Sequence, residues 1–208
     1  MYEFIIYDEP KRQKYFRYGE LKKIIYKDGY EIESGSAGYI SSSRVPIKDD
    51  INNLKRIIIE SHFQKKESEP YPNFMQIRWG FGCADKTARE LLDKLNLDYK
   101  TVEIEITNGS EYSYKVIFFK RISNLIDLDK SNLFLGEDGY VKTNKRTYFS
   151  PIESTLFLTK DAGNIKGIYE LKERGSLICD HETMEQLKKS GLTGFYFEEL
   201  EVSAKKNN

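Results

Sequence analysis

The stretch from Cys179 to Leu200 constrains the fold most, because it reads as one helix–turn–strand unit with both ends marked. Asp180 is a good N-cap, since its side chain can accept hydrogen bonds from the first turn of a helix. Gly191 tolerates the left-handed conformation that ends many helices, and the aromatic run Phe195 to Phe197 then favours a strand. The sequence therefore predicts a capped helix that leads through a tight turn into a strand.

A second stretch, from Cys83 to Ile106, has the same order of features. Here Asp85 is the predicted N-cap, and Asn96 takes the place that Gly191 takes later. Setting Cys83 on Cys179 gives an offset of 96, which also aligns Thr87 with Thr183 and Leu91 with Leu187. Either the two stretches are a duplicated module, or the pattern arises in any capped amphipathic helix that leads into a strand.

Turn dipeptides predict hairpins in both halves of the chain. Asp28-Gly29 lies between two apolar runs, and Asn108-Gly109 lies between two strand-like segments. Because hairpin signals outnumber crossover signals, we predict an α+β fold with mainly antiparallel sheets and a few helices.

The polar, proline-containing segment Gln64 to Asn73 is the best candidate for a domain boundary. We predict an N-terminal lobe over residues 1–70, rich in hairpins and with one helix, and a C-terminal α+β lobe over residues 71–208. The N-terminal helix is expected across Ile51 to Phe63, although the run Ile57 to Ile59 fits a buried strand equally well.

The charges of the chain balance, with 33 basic and 33 acidic residues among 208. The long-range field that draws proteins to nucleic acid or to anionic membranes is therefore missing. No apolar run approaches the roughly 18 residues of a spanning helix, and no signal peptide opens the sequence. We expect a cytoplasmic protein with no nucleic-acid partner and no membrane partner.

The residue types that carry catalysis or bind metals form no recognisable motif. His62 and His181 are the only histidines, and with Cys83 and Cys179 they match no short-paired zinc pattern. The two cysteines are expected to be buried free thiols. The Gly/Ser-rich run Gly35 to Ser43 lacks the ending of a phosphate-binding loop. We predict no catalytic residue, no metal and no cofactor.

Asp127 and Asp129 alternate with Ile126 and Leu128, so that in a strand both carboxylates share one face. Such a pair suits acid–base chemistry or a metal ion, and it also suits a solvated face beside a turn. A small enzyme with an Asp127/Asp129 cleft is therefore one alternative function.

The closing helix–strand unit is locally acidic, which favours solubility or the recognition of a basic partner. The candidate partner-binding residues are Asp127, Asp129, Glu182, Glu185, Glu198 and Glu199, and Glu201 extends the same acidic run. The basic and aromatic segment Lys11 to Tyr18 is either an exposed stretch whose stems lie over apolar surface or the binding patch of an adaptor module.

From about Phe81 to Val202 the order of features resembles a family of bacterial immunity proteins, which are encoded beside polymorphic or contact-dependent toxins. The segments that carry the resemblance are Asp85 to Leu95, Tyr112 to Val116, Ile126 to Ser131, Ile168 to Leu171 and Leu187 to Phe197. The resemblance implies a cytosolic, non-enzymatic inhibitor that binds one cognate toxin. The balanced charge departs from the strongly acidic chains that often neutralise nucleases. The sequence leaves open the identity of the toxin, the oligomeric state and the role of residues 1–75.

Overall fold

Strands dominate the part of the chain that the computed structural model describes, which comprises residues 1–6, 19–33, 51–61, 72–77, 81–107, 113–137, 139–143 and 155–203. These residues contain two α-helices and many strands, mostly in antiparallel sheets, so the predicted α+β class is confirmed. In chain order the elements are β1 (Tyr2–Ile5), β2 (Gly19–Tyr26), β3 (Glu31–Glu33), β4 (Leu54–Ser61), β5 (Phe74–Ile77), β6 (Phe81–Ala84), α1 (Lys86–Lys94), β7 (Tyr99–Thr107), β8 (Lys115–Phe119), β9 (Arg121–Ile122), β10 (Leu133–Leu135), β11 (Val141–Thr143), β12 (Phe157–Leu158), β13 (Ile168–Leu171), β14 (Leu177–Cys179), α2 (His181–Lys189), β15 (Tyr196–Glu199) and β16 (Glu201–Val202). Short 3-10 helices cover Ile51–Asn53 and Lys160–Asn164.

The chain forms two compact units, each built from separate segments. Unit 1 contains Met1–Ile5, Phe119–Lys189 and Phe197–Asn208, and unit 2 contains Ile6–Phe118 and Ser190–Tyr196. This division differs from the predicted lobes 1–70 and 71–208. The reason is that β4, which precedes residue 70, pairs with β7, which follows it, so one sheet spans the expected boundary.

Seven strands of the described residues form the sheet of unit 2, in the order β3-β2-β4-β7-β8-β6-β5. The predicted hairpin at Asp28-Gly29 is confirmed, because β2 and β3 pair antiparallel and Gly29 adopts a positive φ of 88°. One face of this sheet carries a buried apolar cluster. Its members are Ile24, Tyr26, Leu54, Ile57, Ile59, Met75, Cys83, Val102, Tyr114, Val116 and Phe118.

The predicted helix across Ile51 to Phe63 is wrong, and the strand alternative holds. Only Ile51–Asn53 is helical, as one 3-10 turn, and β4 follows directly. This strand lies in the sheet interior, antiparallel to β2 and parallel to β7. Ile57 and Ile59 are buried, and Ile58 is half-buried on the opposite face, so an unbroken apolar run here reflects a central strand.

The described residues of unit 1 form a five-stranded sheet in the order β15-β1-β14-β13-β9 and two smaller ladders, β10-β11 and β12-β16. A second buried core fills this unit. It is formed by Leu125, Ile126, Leu133, Leu156, Leu158, Ala162, Ile165, Leu171, Ile178 and Leu200.

Both helices begin and end as the sequence predicts. The carboxylate of Asp85 accepts a hydrogen bond from the Ala88 amide at 2.7 Å, and Asp180 accepts from Glu182 and Thr183 at 2.9 and 3.2 Å. Positive φ angles follow the helices, at Asn96 (52°) and at Gly191 (73°). The caps therefore fix both helix lengths.

The two helix–strand units share a topology, although their residues align differently from the prediction. One strand lies between the two that flank each helix: β8 between β6 and β7, and β1 between β14 and β15. The caps Asp85 and Asp180 are 95 positions apart, as are the fully buried Leu92 and Leu187. The predicted offset of 96 aligns the two cysteines but does not align the two helices. The reason is that Asp85 follows Cys83 by two positions, whereas Asp180 follows Cys179 by one. A common origin of the two units stays a prediction.

Several predicted features lie outside the described residues. They are the basic segment Lys11 to Tyr18, the run Gly35 to Ser43, His62, most of the segment Gln64 to Asn73, and the turn Asn108-Gly109.

Candidate partner-binding surface

The two cysteines are free and buried, as predicted. Burial raises the pKa of the Cys83 thiol far above its ordinary value. Burial, and then the charge of Asp180, raises the pKa of Cys179 to about 12. Both side chains are therefore neutral thiols at physiological pH and poor nucleophiles.

His181, the histidine that lies within the described residues, is next to a tyrosine. The hydroxyl of Tyr2 lies 3.1 Å from Nδ1 of His181 in unit 1. In the described ranges, no three or more histidine, cysteine, aspartate and glutamate side chains are grouped so that they could hold a metal ion. No described helix combines the length and the apolar character that a membrane crossing requires.

Asp127 and Asp129 lie at a turn and not in a strand, so the arrangement in which both carboxylates would share one face of a strand is not formed. After an isolated bridge at Ile126, residues 127–132 curl back, and the Ser131 amide donates to the Asp127 carbonyl at 3.0 Å. The Asp127 carboxylate accepts from the Lys130 amide at 3.2 Å and so caps this turn. Asp129 is exposed on its surface.

A contact that joins distant parts of the sequence explains why this segment turns. The hydroxyl of Ser203 donates to Oδ2 of Asp127 at 2.5 Å. The Ser131 hydroxyl accepts from the Phe157 amide at 3.0 Å, and the Asp127 amide donates to the Phe157 carbonyl at 2.9 Å. Asp127 thus ties the turn to β12 and to the end of β16.

The predicted acidic residues of the closing unit lie on α2 and β15. Glu182 is exposed in the first turn of α2, and the half-buried Glu185 pairs with Lys189 at 3.4 Å. Glu198 and Glu199 are exposed on β15, an end strand of the five-stranded sheet.

Ring contacts connect α2 with β15, and β15 with β1, within unit 1. The Lys188 Nζ lies 5.8 Å from the ring of Phe197, which joins α2 to β15, and Phe197 stacks on Phe4 with ring centroids 5.4 Å apart. Glu201, exposed on β16, stands two residues before Ser203 and its bond to Asp127. All six predicted partner-binding residues therefore belong to the same unit, and we call them, with Glu201, the acidic group.

The β10–β11 hairpin carries exposed apolar side chains that sequence reasoning missed. Phe134 is 42% exposed and Leu135 47%, and the other large exposed hydrophobic residues in the described ranges are Tyr30 (63%) and Val202 (37%). A signal was present, because the apolar run Leu133 to Leu135 and the Val141 strand flank a glycine-bearing turn.

This hairpin is fixed at both ends. The Gly136 amide donates to the Tyr140 carbonyl at 2.9 Å, and Gly139 closes the turn with a φ of 74°. Beside this turn the Val141 amide donates to the carbonyl of Glu173 at 2.9 Å, and at the base of the hairpin the Leu133 amide donates to the Leu128 carbonyl at 2.9 Å. The buried Glu173 side chain in turn accepts from the Asn124 amide at 2.7 Å.

Fold and surface thus define a small α+β protein with exposed carboxylates and exposed apolar side chains on one of its units. The model of the immunity protein family (Imm11) matches residues 37–202, about four fifths of the chain, and the chain belongs to this family. The resemblance inferred from residues 81–202 is confirmed, and the match begins further toward the N-terminus. A search of curated proteins found no match.

Proposed function

We propose that this protein neutralises one cognate toxin of a polymorphic or contact-dependent system by binding it in the cytoplasm of the producing cell. The observation that carries the proposal is the family match over residues 37–202, which assigns the chain to immunity proteins. Inhibition by contact needs an exposed surface and no reacting group on the inhibitor.

Two features of unit 1 support a non-catalytic role. The Cys179 thiol is buried and protonated, with a pKa raised by burial to about 12. Both oxygens of the Asp127 carboxylate accept hydrogen bonds from within the unit. A carboxylate engaged in this way stabilises a turn, so the Asp127/Asp129 cleft of the alternative reading gains no support.

The acidic group is our candidate for the toxin-contacting surface. Asp129, Glu182, Glu198 and Glu199 are exposed, so their charges are available to steer a basic partner into contact. A standard interface buries about 1,600 Å² in total, which is more than a single strand or helix can supply. We expect the contact to extend from β15 across β16 to the turn at Asp129.

The proposal is tested by co-expression with the toxin gene that neighbours this one. Cells that make the toxin alone should stop growing, and cells that also make this protein should grow normally. If growth stops equally in both cultures while both proteins are present and folded, the proposed function is wrong.

The role of the acidic group is tested separately, by association kinetics. The double variant Glu198→Gln/Glu199→Gln should associate more slowly than the natural protein at low salt, and the difference should shrink at high salt because screening removes steering. Glu90→Gln is the matched control, since Glu90 is an exposed glutamate on α1 in unit 2. Equal rates for all three proteins would remove the acidic group from the interface and leave direct binding intact.

A further inference from the structure

Two neighbouring apolar side chains are exposed on the β10–β11 hairpin, and this pair is what the proposed function leaves unexplained. Single exposed hydrophobic residues are ordinary on protein surfaces. Here two consecutive ones, Phe134 and Leu135, occupy a strand of three residues whose first, Leu133, is buried in the core of unit 1. Consecutive strand residues point to opposite sides, so apolar surface is present on both sides of the hairpin.

The hairpin is held in place rather than left free. An isolated two-stranded hairpin is marginally stable in water. This one is anchored beside its turn by the Val141–Glu173 hydrogen bond and at its base by the Leu133 amide, which donates to the Leu128 carbonyl at 2.9 Å. A rigid apolar side chain loses little conformational entropy on binding, which is the property of an interface anchor.

Acidic side chains lie on either side of the apolar pair. Asp129 is exposed in the turn before β10, and its carbonyl accepts from the Asn132 amide at 3.1 Å, two residues from Phe134. Glu137 is exposed at the hairpin tip, two residues after Leu135. In the described part of segment 127–142, Lys130 is exposed and Lys142 is half-buried.

This charge pattern indicates which kind of partner binds the hairpin. Two copies of this chain that met through the hairpin about a two-fold axis would bring like acidic rims together, which is unfavourable. A partner with lysine and arginine around an apolar cleft would complement both the acidic side chains of Asp129 and Glu137 and the exposed ring of Phe134.

We propose that Phe134 and Leu135 are the apolar anchors of the toxin-binding surface, and that the hairpin enters a cleft of the toxin whose two apolar walls contact one side chain each and whose rim is basic. This inference rests on the proposed function, and it adds a specific contact to it. Anchors of this kind carry most of the affinity of an interface, whereas rim charges act mainly on the association rate.

The test is calorimetry of the toxin product of the neighbouring gene against four forms of the full chain. These are the natural protein, Phe134→Ala/Leu135→Ala, the conservative variant Phe134→Tyr, and Tyr30→Ala. Tyr30 is the matched control, because it is an exposed aromatic residue next to a hairpin turn in unit 2. Circular dichroism verifies that each form is folded.

We expect the double alanine variant to raise the dissociation constant by roughly thirty-fold or more, through faster dissociation, while Phe134→Tyr and Tyr30→Ala stay close to the natural protein. Unchanged affinity in the double variant, or an equal loss in Tyr30→Ala, would overturn the anchor while the proposed function stands. No binding by the natural protein would overturn both. A dimer that dissociates on Phe134→Ala/Leu135→Ala in sedimentation without toxin would show that a second copy occupies the hairpin, and would also overturn the proposal.

Discussion

Replacing Gly194 by alanine provides a sharp test of the structure, because the added methyl group has nowhere to go. A Cβ at this position would lie 1.8 Å from the carbonyl oxygen of Phe74, 2.8 Å from its carbonyl carbon and 2.9 Å from Cβ of Pro72. These are mainly backbone atoms, which cannot rotate away. The loop also has a φ of 92° at Gly194, a region that residues with a side chain rarely adopt.

The loss of unfolding free energy in Gly194→Ala can be worked out from the groups that the added methyl group displaces. The positive φ alone costs about 1 to 2 kcal/mol for a residue with a Cβ. Relieving the overlap separates the loop from β5 and so weakens the hydrogen bond from the Phe74 amide to the Thr193 carbonyl, which is 2.9 Å long. It also disturbs the edge-to-face contact between Phe74 and Phe195, whose ring centroids are 5.3 Å apart. With overpacking costs included, we expect Gly194→Ala to lower the free energy of unfolding by about 3 to 5 kcal/mol.

Gly191→Ala is the matched control, three residues away. Its φ is 73°, but a Cβ there meets nothing within 4 Å, so only the backbone strain of about 1 kcal/mol applies. Thermal unfolding followed by circular dichroism should show the melting temperature of Gly194→Ala falling by roughly 10 °C and that of Gly191→Ala by a few degrees. Equal shifts in the two variants would refute the reasoning, since they would show that the close approach of Gly194 to Phe74 is absent.

Two further predictions concern groups in the cores. Burial opposes ionisation of Asp180, but hydrogen bonds from the Thr183 hydroxyl and from the amides of Gly167, Thr183 and Glu182 outweigh it and lower the pKa of this carboxyl. The stabilisation that the ionised carboxylate gives is therefore present above the ordinary carboxyl pKa and is lost as the pH falls through the lowered pKa. Asp180→Asn should flatten the acid limb of the plot of unfolding free energy against pH, and an unchanged limb would contradict this. The thiols of Cys83 and Cys179 are buried and have raised pKa values. They should react with a thiol-specific dye slowly in the native protein and fully in denaturing guanidinium. Rapid labelling of the native protein would contradict this, because it would show that one of the two thiols is accessible.

Local signals predicted the helices well. Asp85, Asp180, Asn96 and Gly191 act within one turn of the chain, so their positions in the sequence decide where each helix begins and ends. The strand β4 was ambiguous for the opposite reason: the Ile57 to Ile59 run is apolar on both faces, and only the neighbouring strands β2 and β7 decide its conformation.

The candidate surface was harder to predict, because distant contacts decide it. The bond between Ser203 and Asp127 spans 76 positions, and it helps to turn a segment whose alternation favoured a strand. Of the candidate acidic residues, Asp127 and Glu185 are half-buried and the others are exposed, and their role in binding stays a prediction. Phe134 was missed as a surface residue because a sequence does not state which of its many aromatic side chains remain outside the core.

Titration calorimetry of the purified toxin from the neighbouring gene into this protein tests the central claim most directly. A toxin-binding immunity protein should give a saturable one-to-one complex with nanomolar affinity, equivalent to about −12 kcal/mol. The absence of binding between two folded proteins, at concentrations far above that affinity, would contradict neutralisation by direct contact.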